Sequence, residues 1–159
     1  MEEMKSVTDF SVGVVGLGLM GCSIATCLLI AGHTVMAVAP VSIDMQNAGK
    51  RIKDHLSRSQ QEGLINESPE IFLKKLFITE DFSCLKDCKI VIECTLENLE
   101  IKKAVYQKIE AVINNQAILA SNTSATPNVT ASHCKVLIAL ICCQNKFHQS
   151  CKCMPSNIE

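Results

Sequence analysis

Residues 12–21 read VGVVGLGLMG, an apolar strand pattern that continues into glycines at positions 16, 18 and 21. The segment after it, Leu19 to Ala31, is typical of a helix. In this strand-turn-helix setting the first glycine can make a tight turn. The second lets the backbone approach a phosphate because it has no Cβ, and the third permits close packing of helix against strand. The stretch therefore predicts a dinucleotide-binding turn with the phosphates at the helix start.

The cofactor that such a turn predicts is NAD, although one expected contact is missing. The second predicted strand, His33 to Val38, is followed by Ala39, where a domain of this kind carries Asp or Glu for the ribose hydroxyls. The next carboxylate is Asp44, and Arg51 lies too far along the next helix to indicate a switch to NADP. We therefore expect NAD to bind about one to two decades more weakly than at a site with the acid. The candidate residues of the turn are Gly16, Gly18, Leu19, Met20 and Gly21.

Length and charge exclude several classes of protein. With 159 residues and a net charge of −1, the chain fits one α/β domain, and it has no basic patch for nucleic acid or an anionic membrane. The apolar stretch 20–39 is broken at Gly32 and so predicts a helix and a strand rather than a membrane span. Glu2 and Glu3 argue against a targeting leader. We expect a cytoplasmic protein without a membrane or nucleic-acid partner.

Ten cysteines fall into two groups. Five lie within apolar elements and predict buried free thiols: Cys22, Cys27, Cys84, Cys88 and Cys94. The other five crowd the end of the chain at spacings that fit a zinc site poorly, so we expect no metal. We interpret residues 1–143 as the domain and residues 144–159 as an irregular, Cys-rich tail.

The remaining pattern alternates helices and strands. A long helix is predicted from Ile43 to Gly63, and Ser68 then serves as the N-cap of a helix to about Lys75, which completes a helical hairpin. An amphipathic helix is predicted over residues 99–113. Short apolar strands are predicted at residues 76–79, 89–94, 117–121 and 136–142. The alternation predicts a Rossmann-type, doubly wound and mostly parallel sheet. The apolar faces expected for the two longer helices comprise Met45, Ala48, Ile52 and Leu56 in the first and Leu99, Tyr106, Ile109 and Ile113 in the second.

Four ordered blocks make this pattern more specific. They are residues 12–21, residues 31–35 (AGHTV), residues 91–102 (VIECTLENLEIK) and residues 120–124 (ASNTS). Together they resemble the NAD-binding domain of the 3-hydroxyacyl-CoA dehydrogenases, over roughly residues 10 to 130. That family oxidises 3-hydroxyacyl-CoA to 3-oxoacyl-CoA with NAD in fatty-acid metabolism.

The resemblance implies roles for three further residues. Glu97 and Lys102 match family residues that contact the cofactor, and Ser124 matches a serine near the nicotinamide and the substrate hydroxyl. Both segments follow strands, and ligands of doubly wound sheets collect at the carboxyl ends of strands. A purely structural interpretation remains open, in which Glu97 serves the helix start and Ser124 caps a short helix.

The chain also departs from the family. If residues 136–140 form the next strand, the family's catalytic His falls on Ile141, and no acid follows that could orient His148 as a substitute. We also expect no counterpart of the family's helical second domain. We therefore expect a chain truncated before that domain, with no catalytic residue and no competence for hydride transfer. Its expected partners are NAD and either an acyl-CoA or a full-length homologous subunit.

Two alternatives stay open. Residues 16–21 and 31–33 resemble the opening of 3-hydroxyisobutyrate dehydrogenases equally well, but that group lacks the block at residues 97–99 and the helical hairpin. The other alternative is a non-enzymatic module that binds a nucleotide weakly or pairs with another protein through a sheet edge or an uncovered face.

Overall fold

The computed structural model describes residues 10–122 and 135–137. Its helices are α1 (Leu19–Ile30), α2 (Ser42–Gln61), α3 (Pro69–Leu73) and α4 (Leu99–Glu110), with a 3₁₀ turn at Phe82–Leu85. Its strands are β1 (Ser11–Val15), β2 (Thr34–Val38), β3 (Leu76–Thr79), β4 (Ile90–Glu93), β5 (Ile118–Ser121) and β6 (Lys135–Leu137).

The described strands form one sheet in the order β3-β2-β1-β4-β5-β6. Every neighbouring pair in this sheet is parallel. The order reverses between β1 and β4, so the chain leaves the two central strands in opposite directions and opens a crevice at their carboxyl ends. The predicted Rossmann-type, doubly wound sheet is confirmed, and it is parallel throughout the part described.

Two apolar layers cover the sheet because successive side chains of a strand point to opposite faces. On one face Val12 and Val14 of β1 pack with residues of α1 and α2. On the other face Val15 packs with Tyr106 and Ile109 of α4. The crevice therefore lies at one end of a sheet that is covered on both sides.

The helical hairpin is confirmed, with one residue misplaced in the prediction. Ala48, Ile52 and Leu56 of α2 are buried as expected, whereas Met45 is 36% exposed. Met45 lies in the first turn of α2, which extends past the edge of the core. α3 ends at Leu73, earlier than predicted, and Ser68 begins it without a side-chain cap.

The second amphipathic helix shows a similar correction. Tyr106, Ile109 and Ile113 are buried, but Leu99 is 40% exposed. Leu99 is the first residue of α4, so it lies at the rim of the crevice rather than over the core. The helix itself stops at Glu110, and Ile113 reaches the core from the turn that follows.

The thiols differ from the expectation in degree of burial. Cys22 and Cys88 are buried, Cys84 and Cys94 are half-buried, and Cys27 is exposed because it lies on the outer face of α1. Within residues 10–122 and 135–137, no helix is both long and apolar enough to cross a bilayer. The domain boundary at residue 143 and the tail 144–159 lie outside the described residues.

Candidate dinucleotide site

The site begins where β1 and β4 end side by side. The Gly16 amide donates to the Val38 carbonyl of β2 at 2.9 Å, and the Cys94 amide donates to the Val15 carbonyl of β1 at 2.7 Å. These bonds join the first residues after β1 and β4 to the ends of their neighbouring strands. The connections after the two central strands are thereby held at the mouth of the crevice.

Three glycines shape the loop after β1, each through a different contact. Gly16 has a φ of +94°, and a Cβ there would lie 2.8 Å from the Cys94 backbone. A Cβ on Gly21 would lie 1.8 Å from the Gly16 carbonyl oxygen, so the start of α1 packs directly against the loop. A Cβ on Gly18 would meet nothing within 4 Å. Gly16 and Gly21 are thus required by the fold, whereas Gly18 borders open space.

The start of α1 offers backbone donors to that space. Gly18 is the N-cap, and the first helical bond runs from the Cys22 amide to the Gly18 carbonyl at 3.0 Å. The amides of the first turn have no partner within a helix, and the helix dipole is positive at this end. No acidic residue lies in this turn to repel an anion, and Leu19 is 74% exposed. The glycine loop therefore fits a pyrophosphate.

The end of β2 does not fit the ribose in the usual way. Ala39 is fully buried, and its amide donates to the Thr79 carbonyl at 2.9 Å. An alanine side chain cannot accept a hydrogen bond from a ribose hydroxyl. Ala39, which stands where the sequence pattern called for an acid, thus lies at the corner where β2 meets the glycine loop.

A side chain of α2 reaches that same corner. Arg51 Nη1 donates to the Leu17 carbonyl at 3.2 Å and to Asp44 Oδ1 at 3.1 Å. From the sequence alone, Arg51 lies too far along α2 to indicate a switch to NADP, and its contact with the glycine loop was not predicted. The contact spans 34 residues of sequence, which is why spacing along the chain does not reveal it.

The far wall of the crevice is organised by one buried carboxylate, Glu93, at the end of β4. Glu93 pairs with Lys102 of α4, with Oε2 lying 2.7 Å from Nζ, and neither side chain has exposed surface. The same carboxylate accepts hydrogen bonds from the Ser121 hydroxyl at 2.7 Å and from the Thr95 amide at 2.6 Å. The Thr95 hydroxyl and the Tyr106 hydroxyl complete the network. Glu93 therefore joins β4, β5, α4 and the β4–α4 loop.

The network keeps Glu93 charged despite its burial. Burial raises the pKa of this carboxyl group, but the hydrogen bonds from Lys102, Thr95 and Ser121 outweigh that effect and hold the pKa below its usual value. Burial also raises the pKa of the neighbouring Cys94 thiol to about 12, and the Glu93 charge adds to the shift. Cys94 is therefore a neutral thiol at physiological pH and not a nucleophile.

The two described residues that were predicted to contact the cofactor from this wall, Glu97 and Lys102, differ in exposure. Glu97 is exposed in the β4–α4 loop. Its neighbour Asn98 caps α4 by accepting from the amides of Glu100 and Ile101, so Glu97 is not the N-cap of that helix. Lys102 is fully buried, and its Nζ donates to both carboxylate oxygens of Glu93. Ser124 lies outside the described residues.

Sequence reasoning quoted Glu93 but assigned it no role. Its signal was a single acid closing an otherwise apolar strand, which is unusual because charged residues are rarely buried without a partner. A lysine nine residues later, within the next helix, was the available partner. Reading the two together would have predicted the buried pair.

Comparisons with known proteins agree with this geometry. A family described as "3-hydroxyacyl-CoA dehydrogenase, NAD binding domain" matches residues 11–133. A probable 3-hydroxybutyryl-CoA dehydrogenase of Deinococcus radiodurans is 32% identical over 116 residues, which cover 72% of this chain and 41% of that protein. The resemblance inferred from the four sequence blocks is confirmed.

Solved structures show the same likeness. The 3-hydroxybutyryl-CoA dehydrogenase from Escherichia coli superposes with a TM-score of 0.68 at 31% identity, covering 74% of this chain and 25% of that chain. The (S)-3-hydroxybutyryl-CoA dehydrogenase from Ralstonia eutropha gives 0.68 at 28% identity, covering 73% and 41%. The chain thus spans well under half the length of these relatives.

Proposed function

Because the chain belongs to the family of 3-hydroxyacyl-CoA dehydrogenase NAD-binding domains, we propose that it binds NAD in the crevice between β1 and β4. The observation that carries the proposal is the open space at Gly18 beside the first-turn amides of α1, which have no partner within the helix. The proposed contact residues are Gly16, Gly18, Leu19, Met20, Gly21, Glu97, Lys102 and Ser124. When bound, NAD supplies a nicotinamide that accepts or releases hydride.

In this proposal the residues of the chain bind and orient the cofactor. Amides at the start of α1 hold the pyrophosphate oxygens, while Gly16 and Gly21 keep the loop close enough to the helix for those amides to converge. Glu93 fixes the opposite wall through Thr95 and Ser121. Ser124 follows β5 by three residues and is the residue we place nearest the substrate. We propose a weakened affinity because Ala39 offers the ribose no acceptor.

We further propose that the chain does not catalyse hydride transfer by itself. If residues 136–140 form the strand that precedes the family's proton-abstracting His, that position falls on Ile141, and an isoleucine cannot take up a proton. An acyl-CoA remains the substrate class implied by relatives that are named 3-hydroxybutyryl-CoA dehydrogenases. The match over residues 11–133 does not favour the 3-hydroxyisobutyrate dehydrogenase alternative.

One observation favours a second candidate, a surface for a full-length homologous subunit. Large apolar side chains at the starts of α1, α2 and α4 and in the β4–α4 loop are exposed around the mouth of the crevice, and such patches mark interaction sites. They are Leu19, Met20, Val41, Ile43, Leu96 and Leu99. The compartment we propose is the reducing cytoplasm, supported by Cys22 and Cys88, which are present as free thiols.

Titration with NADH tests the proposed binding. The chain has no Trp, so the cofactor's own fluorescence can be followed without interference. We expect saturable enhancement that NAD competes away. If folded protein shows no signal up to millimolar NADH, the glycine loop serves the fold alone and the subunit surface becomes the leading candidate.

A further inference from the structure

The adenosine-ribose corner of the proposed site contains a cation that NAD does not require. Arg51 Nη1 donates to the carbonyl of Leu17, the residue between the first two glycines of the loop. Its guanidinium therefore lies beside the turn that follows β1, and its side chain is 35% exposed. Arg51 approaches from α2, the helix that begins just after β2 ends.

The same corner has no acid at the strand end. The Gly16 amide bonds the Val38 carbonyl, so Ala39 lies next to the glycine loop. A carboxylate at this position accepts hydrogen bonds from the two ribose hydroxyls of NAD, and it repels a phosphate on the 2′ oxygen. Ala39 does neither. The positive end of the 20-residue helix α2 adds to the potential that favours an anion here.

We propose that this corner accepts a phosphate on the adenosine ribose, so that the chain binds NADP(H) at least as tightly as NAD(H). The guanidinium has five N–H donors, and its hydrogen bonds to Leu17 and Asp44 both use Nη1. The guanidinium also interacts with the Cys22 thiol, and five donors outnumber these three partners, so donors remain for a phosphate, for which Arg is well suited. This inference rests on the proposed dinucleotide site and specifies the ligand that the site takes.

Asp44 opposes the phosphate, and it thereby provides an internal check. Its carboxylate shares Arg51 Nη1 and lies in the first turn of α2. A phosphate held by Arg51 is repelled by this charge, whereas a ribose hydroxyl is not. Asp44→Asn is therefore expected to tighten NADPH binding while leaving NADH binding within about threefold.

The test compares NADH and NADPH by fluorescence titration of wild-type protein and matched variants. Arg51→Met is expected to lower the affinity for NADPH about 10- to 100-fold, the range for lost charge-assisted hydrogen bonds. The affinity for NADH is expected to change less than about threefold. Lys50→Met removes an exposed charge one residue earlier on α2 and is expected to change neither affinity. Circular dichroism checks that each variant is folded.

Each result decides between clear alternatives. If NADH saturates while NADPH binds measurably more weakly than NADH, the inference is overturned and the proposed function stands. If Arg51→Met lowers the affinities for both cofactors equally, Arg51 only supports the glycine loop and the inference is again overturned. If neither cofactor binds to folded wild-type protein, the proposed function fails together with the inference.

Discussion

Gly18 and Gly21 lie three residues apart but have opposite surroundings, which separates folding from binding. Gly18→Ala adds a methyl group to open space at a φ of −66°, a value that alanine adopts readily. We expect its unfolding free energy to stay within about 0.5 kcal/mol of wild type. We expect its affinity for NADH to fall about tenfold or more because the methyl group occupies the phosphate space.

Gly21→Ala is the matched comparison. Its methyl group would lie 1.8 Å from the Gly16 carbonyl oxygen, so α1 must move away from the loop. We expect a loss of about 1–3 kcal/mol in unfolding free energy, the usual cost of overpacking. Chemical denaturation of the two variants measures the difference. Equal stabilities would contradict the packing described for the loop.

Ala39→Asp tests where the ribose lies. A carboxylate at the end of β2 restores the acceptor for the ribose hydroxyls, and we expect NADH to bind about tenfold more tightly. Ala39 is fully buried in the apolar cluster that includes residues of α1 and α2, so circular dichroism first checks that the variant is folded. Fluorescence titration gives the affinity. An unchanged value would show that the ribose is not seated at this corner.

At the scale of elements, the buried pair Glu93–Lys102 links β4 to α4. Glu93→Gln leaves the Lys102 ammonium buried without a counter-charge, which costs about 3–5 kcal/mol. Adding Lys102→Met removes that charge, and we expect the double variant to recover most of the stability. Lys103→Met disrupts only an exposed pair with Glu100 and serves as the control. Urea denaturation of the four proteins gives the comparison.

The same pair predicts an acid dependence with a defined sign. Folding lowers the pKa of Glu93, so its charged form stabilises the native state above the unfolded pKa of about 4.3. That contribution is lost as the pH falls through the lower, folded-state pKa. As the pH falls from about 6 through the folded-state pKa of Glu93, we expect the unfolding free energy of the double variant to decrease less than that of wild type. Denaturation curves recorded at a series of pH values measure this difference. Parallel pH profiles would contradict the role assigned to Glu93.

Local sequence patterns predicted the helices and strands, whereas they did not predict side-chain contacts between residues far apart in the sequence. Strand and helix periodicities are local, so the bounds of α1, α2 and β1 were predicted within about two residues. The partners of Glu93 lie two, nine, thirteen and 28 residues away, and only the folded chain brings them together. The exposure of Met45 and Leu99 depends on where each helix leaves the core, which periodicity does not encode.

For the whole molecule, the proposal separates cofactor binding from catalysis. With acetoacetyl-CoA and NADH, we expect purified protein to show no turnover above background. A general base contributes about 10²- to 10⁴-fold in rate, and if residues 136–140 form the preceding strand, Ile141 falls at the position of that base. The measurement is the decrease in NADH absorbance over time. Clear turnover that Ser124→Ala abolishes would contradict the proposed incompetence.

The strand order also has a consequence for synthesis on the ribosome. Among the strands that the structure describes, β1 is translated first, yet its partner on one side is β4, residues 90–93. At about 5–20 residues per second, the open edge of β1 and its apolar faces wait several seconds for that partner to emerge. A chain stopped before residue 93 would leave the centre of the sheet unpaired and prone to aggregation.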